Sequence, residues 1–307
     1  MATTVTAPVG NSIQLAKNYL AMLDEVYTTA SKTAILDTES ARVQFTGADT
    51  VLLYNLSALG LGDYSRNAGY VPGDVTGQWE SYQLTLDRGR SYMVDALDQE
   101  ESKNQAFGGL LGVVEREHIV PELDAVRFAS YYSGANASNK VSATLSTGSA
   151  VLAAIDTATE TLDNAEVPYE GRILFVNPTI YKLIKGGITR FIENRDKDIN
   201  YNVEMFNDMR VIMVPSKRFN TSITLAQPSA HDGAGDYSLA GNQINFMIVH
   251  PTAVLQVMKH YVPRIFSPEV NQEADAYKLN IRYVAGSWVK TAKNKGIYVH
   301  SGTTVSG

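Results

Sequence analysis

Residues 50–87 read TVLLYNLSALGLGDYSRNAGYVPGDVTGQWESYQLTLD, and this stretch decides how the chain is organised. The apolar run Thr50–Leu56 predicts one β-strand, and the alternation of apolar and polar residues in Ser81–Asp87 predicts a second. The intervening residues 60–80 hold five glycines, one proline and three aromatic residues. Hairpins usually turn within two residues, and two strands joined by so long a connection are marginally stable alone. We therefore predict an exposed arm whose aromatic residues lie on a neighbouring copy of the chain: Tyr64, Tyr70 and Trp79.

Length and composition describe a globular chain. The 307 residues are 44% hydrophobic and 19% charged, which suits one large domain or two ordinary ones. The net charge of −6 argues against a dedicated nucleic-acid-binding protein, which would carry a basic stripe. Cysteine is absent, so disulfides, thiolate metal sites and cysteine nucleophiles are excluded. No apolar run reaches the roughly 20 residues that span a membrane, and no signal peptide is evident, so we expect synthesis in the cytoplasm.

The segments on either side of the predicted hairpin are predicted to be helical. Residues 1–45 predict an N-terminal arm with a short amphipathic helix capped by Asn11 or Ser12. A carboxylate cluster follows the predicted hairpin, and it suits either a metal or acid/base site or, as we prefer, the first turn of a helix. Its members are Asp95, Asp98, Glu100 and Glu101. That helix runs toward His118, is interrupted or restarted at Pro121, and is followed by a second helical stretch ending near Gly134.

Residues 141–251 predict a compact α/β unit. Ser146 or Thr147 caps a helix, the fully apolar strand RILFVN follows, and Asn177 caps the next helix with Pro178 at its first position. Strands RVIMVP and INFMIVH come later, separated by a glycine-rich loop at 227–242. The strands of residues 252–300 need partners, and the long helix offers the available apolar face. We therefore predict a discontinuous second domain, residues 96–140 with 252–307, into which the α/β unit is inserted.

No motif predicts catalysis, a metal or a cofactor. GLGDYS at 60–65 has Ser65 where a dinucleotide-binding fingerprint needs glycine, and GxxxxGK[ST], GxSxG and HExxH do not occur. An α/β enzyme would need a polar constellation that the sequence does not show. The C-terminal section has a positive excess, which suits either contact with phosphates or, as we favour, ion pairs with acidic groups on other subunits. Its residues are Lys259, Arg264, Lys278, Arg282, Lys290, Lys293 and Lys295.

Taken in order, these segments resemble the major capsid proteins of tailed phages, which have the Hong Kong 97-type fold. The resemblance is carried by residues 46–102, by EREHIVPELDAVRFASYYSG at 115–134, by VPYEGRILFVNPTIYKLIKGG at 167–187, and by residues 244–300. It implies an α+β fold with an N-terminal arm (1–45), an extended β-hairpin loop (46–95), a peripheral domain on a long spine helix (96–140 and 252–307) and an axial domain (141–251). In such shells the extended loop overlies an adjacent subunit. The implied contacts in that loop are Asp63, Tyr64, Arg66, Tyr70, Asp74, Trp79 and Glu80.

The resemblance implies a non-enzymatic function, without cofactor or metal. Copies of the chain would form hexamers and pentamers that close into the icosahedral head of a virion around double-stranded DNA, without sequence-specific binding. Assembly would take place in the host cytoplasm, with a portal and, since the sequence starts almost at its arm, a separate scaffolding protein or a cleavage that has already occurred. In some related shells an isopeptide bond from a lysine in the extended loop crosslinks the subunits. No lysine lies between Lys32 and Lys103 in this sequence, so we expect no such crosslink here. An encapsulin-like cellular compartment, which shares the fold and holds enzyme cargo, is the alternative.

Overall fold

The computed structural model describes residues 31–37, 44–46, 50–67, 69–96, 105–188, 203–227 and 235–305. The predicted N-terminal helix and the carboxylates Asp98, Glu100 and Glu101 lie outside the described residues. Asp95 is described and is the last residue of a strand. A 3-10 helix, Ala34–Leu36, is the first described element.

The predicted hairpin is present and is built from longer strands than the sequence indicated. β2 (Thr50–Ala58) pairs antiparallel with β3 (Val75–Gln83) in one unbroken register, from Thr50 opposite Gln83 to Ala58 opposite Val75. A short β1 (Gln44–Thr46) pairs with the other edge of β2 and completes a three-stranded sheet. The prediction of a single strand over Ser81–Asp87 was wrong, because β3 ends at Gln83 and a new strand starts at Leu86. The alternation of apolar residues continues across this break, so periodicity did not mark it.

In the described part of the chain, the second sheet has four strands, and one of them is the segment that directly follows the hairpin. These strands are β4 (Leu86–Asp95), β11 (Val254–Tyr261), β12 (Arg264–Phe266) and β13 (Ala276–Val289). β13 lies between β4 on one side and β11 with β12 on the other. Residues 86–95, which the sequence assigned to the extended loop, therefore belong to this sheet, because they pair with β13 along their whole length.

One long helical segment packs on this sheet, as predicted. It consists of α1 (Gln105–Val114), a turn of π-helix at Glu115–Ile119 and α2 (Val120–Gly134). Pro121 does not interrupt the segment. The π-helical turn ends with a hydrogen bond from the Val120 amide to the Glu115 carbonyl. The next residue is Pro121, which has no amide hydrogen to donate and follows this last hydrogen bond of the turn. The apolar face of the segment packs against β13 through Leu111, Val114, Ile119, Leu123, Leu279, Ile281 and Tyr283.

Among the described residues, the third sheet has seven strands, most of which come from the segment predicted as an α/β unit, and two helices of that segment pack beside it. Its strands are β5 (Lys140–Ser142), β6 (Ile173–Val176), β7 (Met205–Phe206), β8 (Met209–Met213), β9 (Asn220–Leu225), β10 (Tyr237–Val249) and β14 (Ile297–Val305). Its helices are α3 (Gly148–Asn164) and α4 (Pro178–Ile188). Both predicted caps are confirmed, since the Thr147 hydroxyl accepts from the Ala150 amide and the Asn177 side chain accepts from the Thr179 amide.

The structure differs from the predicted division at the end of the chain. β14 pairs along β10 and also with β5, so residues 297–305 lie in the seven-stranded sheet and not with β11–β13. The segment 252–307 is therefore shared between two sheets. A short apolar strand such as GIYVH carries no signal that selects one sheet over another, and the choice is made by packing of Ile297 and Val299 into the core beside α2.

Helix α2 joins the two larger sheets because it is buried on more than one side. Phe128 makes edge-on contacts with Phe175 of β6 (5.2 Å between ring centroids) and with Phe219 just before β9 (4.9 Å). In the described part of the chain, no helix is long and apolar enough to cross a lipid bilayer.

Candidate assembly interface

The β2–β3 hairpin has two unlike faces because side chains alternate along each strand. Val51, Leu53 and Asn55 lie on one face, opposite Tyr82, Glu80 and Gln78. The other face carries the remaining cross-strand pairs, and apart from Thr50, Gln83 and Ser81 it is apolar or glycine. Its main members are Leu52, Tyr54, Leu56, Ala58, Val75, Gly77 and Trp79.

The base of the hairpin is fixed to the four-stranded sheet. Val51 is buried against Leu255 and Val257 of β11. The Tyr82 ring packs on Trp288, with 5.5 Å between centroids. Burial raises the pKa of Tyr82, and its hydrogen bond to Glu80 raises this pKa further. The attachment therefore orients the hairpin without covering the rest of it.

The face of Val51, Leu53 and Asn55, called the polar face below, contains a hydrogen-bonded carboxylate, Glu80. The Glu80 carboxylate accepts one bond from the Asn55 amide (3.1 Å) and another from the Tyr82 hydroxyl (2.6 Å). Glu80, which the sequence placed among the subunit contacts, thus lies on the opposite face of the hairpin from Trp79 and has partners within its own chain.

The other face exposes large apolar side chains to solvent. The exposed fractions are 50% for Tyr54, 65% for Leu56, 65% for Val75 and 58% for Trp79. Tyr54 and Trp79 are a cross-strand pair with ring centroids 4.9 Å apart. The Tyr54 side chain extends over Gly77, where a β-carbon would collide with the tyrosine hydroxyl. A row of aromatic and aliphatic side chains in this position is typical of a surface that another protein covers.

The tip of the hairpin, described over residues 59–67 and 69–74, carries further exposed apolar groups. Ser65 and Gly69 exchange backbone hydrogen bonds of 2.7 and 3.2 Å, and Gly69 has a φ of 79°, which favours glycine. The rings of Tyr64 and Tyr70 pack together with centroids 5.0 Å apart. Leu61 is fully exposed.

Six of the seven sequence-predicted contact residues lie on exposed parts of the hairpin: Asp63, Tyr64, Arg66, Tyr70, Asp74 and Trp79. The prediction missed Tyr54, Leu56, Leu61 and Val75, which extend the same surface. For Tyr54 and Leu56 a signal was present in the sequence, because they and Leu52 occupy alternate positions of β2, but that strand was interpreted as uniformly apolar.

Charged side chains elsewhere in the described residues form ion pairs within the chain. Among them, no three histidine, aspartate or glutamate side chains lie close enough together to hold a metal ion. Of the basic residues in the C-terminal section, Lys278 pairs with Glu273 (2.6 Å) and Arg282 pairs with Asp87 (2.8 Å), both within the same chain. Lys278 and Arg282 therefore have ion-pair partners within their own chain and do not need acidic groups of another subunit.

Comparison with known proteins identifies the fold. No model of a known protein family matches the sequence, and no curated protein is significantly similar to it. Solved structures do match. The mature capsid of bacteriophage PhiM1 aligns with a TM-score of 0.62 and 11% identity over 84% of this chain and 83% of the phage chain. The capsid of cyanophage P-SCSP1u aligns with a TM-score of 0.60 and 11% identity over 85% of each chain.

A virus-like particle from Pyrococcus furiosus also matches, with a TM-score of 0.50 and 9% identity over 94% of this chain and 99% of the other. The TM-scores of these alignments establish a shared fold despite identities of only 9–11%. The chain therefore has the α+β fold of phage capsid structures, as its resemblance to tailed-phage major capsid proteins predicted.

Proposed function

We propose that this chain is the major capsid protein of a tailed double-stranded DNA phage, and that its copies form the hexamers and pentamers of an icosahedral head. The observation that carries this proposal is the hairpin, whose apolar face is open in the single chain. The shared fold with phage capsid structures supports it. In this role the hairpin lies on an adjacent subunit, and the protein is structural and not an enzyme.

The energetics of the hairpin favour assembly. Full burial of a large apolar side chain stabilises by about 1.5–3 kcal/mol. Tyr54, Leu56, Val75 and Trp79 are each exposed by half to two-thirds. Covering them would contribute about 1.5 kcal/mol for each aliphatic side chain and about 2.5–3 kcal/mol for each larger aromatic one, or about 8 kcal/mol per hairpin before the cost of association. Every subunit contributes one hairpin, so this gain is repeated around a ring.

The role implies further partners. A portal and a separate scaffolding protein would take part in assembly in the host cytoplasm, and the finished virion would enclose DNA without sequence-specific binding. The net charge of −6 suits a container, because strong phosphate binding would hinder both filling and ejection of the DNA.

An encapsulin-like compartment is the second candidate, and the match to a virus-like particle from Pyrococcus furiosus is the observation that favours it. The two functions share the shell and differ in its content. Particles of a phage head enclose DNA, whereas particles of a compartment enclose a protein passenger.

Expression of the chain with and without candidate scaffolding proteins tests the proposal. Negative-stain microscopy should show capsomers or regular hollow particles, and particles purified from infected cells should contain nuclease-protected DNA. A chain that remains a monodisperse monomer under all these conditions would contradict a shell function. Particles that contain one protein passenger and no DNA would favour the compartment.

A further inference from the structure

A cleft at the base of the hairpin offers a surface that could receive another chain. It has a volume of about 410 Å³ and lies between β2, the 3-10 helix Ala34–Leu36, the start of β11 with the short segment before it, and the segment that follows β13. Its apolar lining comes from Ile35, Leu36, Leu53, Pro251, Val254 and Leu255. Its polar lining comes from Asp37, Thr252, Lys290 and Lys293.

The charge of this cleft is positive. Asp37 forms an ion pair with the buried Arg127 (3.0 Å), so its negative charge is balanced from inside the protein. The Lys290 ammonium donates to the Thr252 carbonyl (3.0 Å), which holds it at the rim. Lys293 is exposed on the same rim. A partner that fits must therefore bring apolar side chains together with negative charge.

The hairpin tip has this combination. Leu61 is fully exposed, Val71 is largely exposed, and Asp63 and Asp74 supply two carboxylates against the single cation of Arg66. We propose that the tip of the β2–β3 hairpin of one copy docks in this cleft on the next copy, a proposal that rests on the assembly function proposed above.

The tip of the same chain does not reach this cleft. Leu53 lines the cleft and Leu61 lies eight residues farther along the chain. At about 3.3 Å per extended residue, the two are separated by roughly 25 Å, and the unbroken β2–β3 pairing keeps the hairpin extended. A second copy is therefore the occupant.

The contact is heterologous, because the tip and the cleft are different surfaces of one chain. Such a contact joins copies head to tail and produces a ring when the rotation closes. It also makes a specific prediction for mixtures, since a chain with a defective tip and a chain with a defective cleft still share one intact contact.

Two variants test this arrangement. Leu61→Lys damages the tip and Ile35→Asp damages the cleft, because each removes an apolar side chain and adds a charge that its partner surface repels. Both positions are exposed in the single chain, so both variants should remain folded. Gln78→Asp, on the polar face of the hairpin, is the matched control. Each defective variant should require at least tenfold more protein for half-maximal assembly than the wild type, measured by light scattering. The control should assemble as the wild type does.

An equimolar mixture of Leu61→Lys and Ile35→Asp chains should then give a dimer that contains one chain of each kind and does not grow into rings. Native mass spectrometry measures this composition. As an independent measurement, Leu61→Cys and Ile35→Cys chains can be mixed and treated with a short bismaleimide linker. The chain has no other cysteine, so a crosslinked heterodimer reports this contact alone.

A charge exchange tests the electrostatic part of the contact. Lys293→Glu should weaken assembly, and a second substitution in the same chain, Asp63→Lys or Asp74→Lys, should restore it. Lys295→Glu should have no effect on assembly.

The two proposals fail separately in this design. A wild-type chain that never assembles overturns the shell function. A wild-type chain that assembles while Ile35→Asp assembles equally well, or a mixture that gives neither the dimer nor the crosslink, overturns only the docking of the tip in the cleft.

Discussion

Replacing Trp79 by alanine should weaken assembly strongly and lower the stability of the unassembled chain only slightly. The Trp79 side chain is 58% exposed in the single chain, and its contact with Tyr54 is made on the apolar face of the hairpin. A tryptophan carries about 200 Å² of side-chain surface. Covering the exposed fraction on a neighbouring copy would therefore bury about 115 Å², which corresponds to about 3 kcal/mol at 25 cal/mol per Å². The loss of the Tyr54 contact within the chain costs about 1 kcal/mol.

Trp79→Ala should therefore raise the protein concentration needed for assembly about a hundredfold, since each 1.4 kcal/mol corresponds to a factor of ten. The melting temperature of the unassembled chain should fall by only about 2–4 °C. Light scattering against concentration measures assembly, and circular dichroism measures melting. Gln78→Ala, one residue away on the polar face, is the control and should change neither quantity.

A Trp79→Ala chain that assembles at the wild-type concentration but melts much earlier would refute this reasoning. That result would show that Trp79 belongs to an internal core, and that the hairpin face is covered by its own chain.

Three further predictions concern the remainder of the chain. Tyr283→Phe removes the hydrogen bond to the buried Glu122 carboxylate (2.6 Å), so urea denaturation should show a loss of about 1.5–3 kcal/mol, and an unchanged midpoint would contradict this. Burial lowers the pKa of His300 below 6.5, so the unfolded chain binds a proton more readily and stability should fall as pH drops below that value. His300→Gln should reduce this decline in urea melts at pH 7 and 5.5, and an equal decline in both proteins would exclude His300 as its source. Mature particles should show no covalent ladder anchored in residues 46–95 on denaturing gels, because no lysine lies there; mass spectrometry that finds such a ladder would refute this.

Much of the fold was predictable because local signals agreed with tertiary packing. The helix face of Val151, Ile155, Ala158 and Leu162 is fully buried, as its spacing of four, three and four residues indicated. The Asn177 cap before Pro178 was also correct, because capping depends on neighbouring residues alone.

The wrong predictions concern non-local choices. The alternation in Ser81–Asp87 gave no sign that the chain passes from one sheet to another after Gln83. In the same way, the predicted loop at 227–242 contains the first half of β10, where Tyr237 to Ala240 pair with β9 before a bulge at Gly241. Strand partners are set by the whole fold, and a glycine-rich composition does not exclude pairing.

The sequence indicated the exposed apolar surface of the hairpin only in part. The exposed aromatic residues Tyr64, Tyr70 and Trp79 were singled out because they stand in a polar, glycine-rich segment, and their contact with a second copy stays a prediction. The cleft beside Leu53 could not be predicted, because its lining comes from four segments that are separated by up to about 250 residues along the chain and meet only in the folded structure.

The central claim is that the apolar face of the β2–β3 hairpin is completed by a second copy of the chain. An electron cryo-microscopy reconstruction of assembled particles tests this most directly. The account predicts density from an adjacent subunit over Tyr54, Leu56 and Trp79 of every hairpin. Particles in which this face is open to solvent, or folded back onto its own subunit, would contradict it.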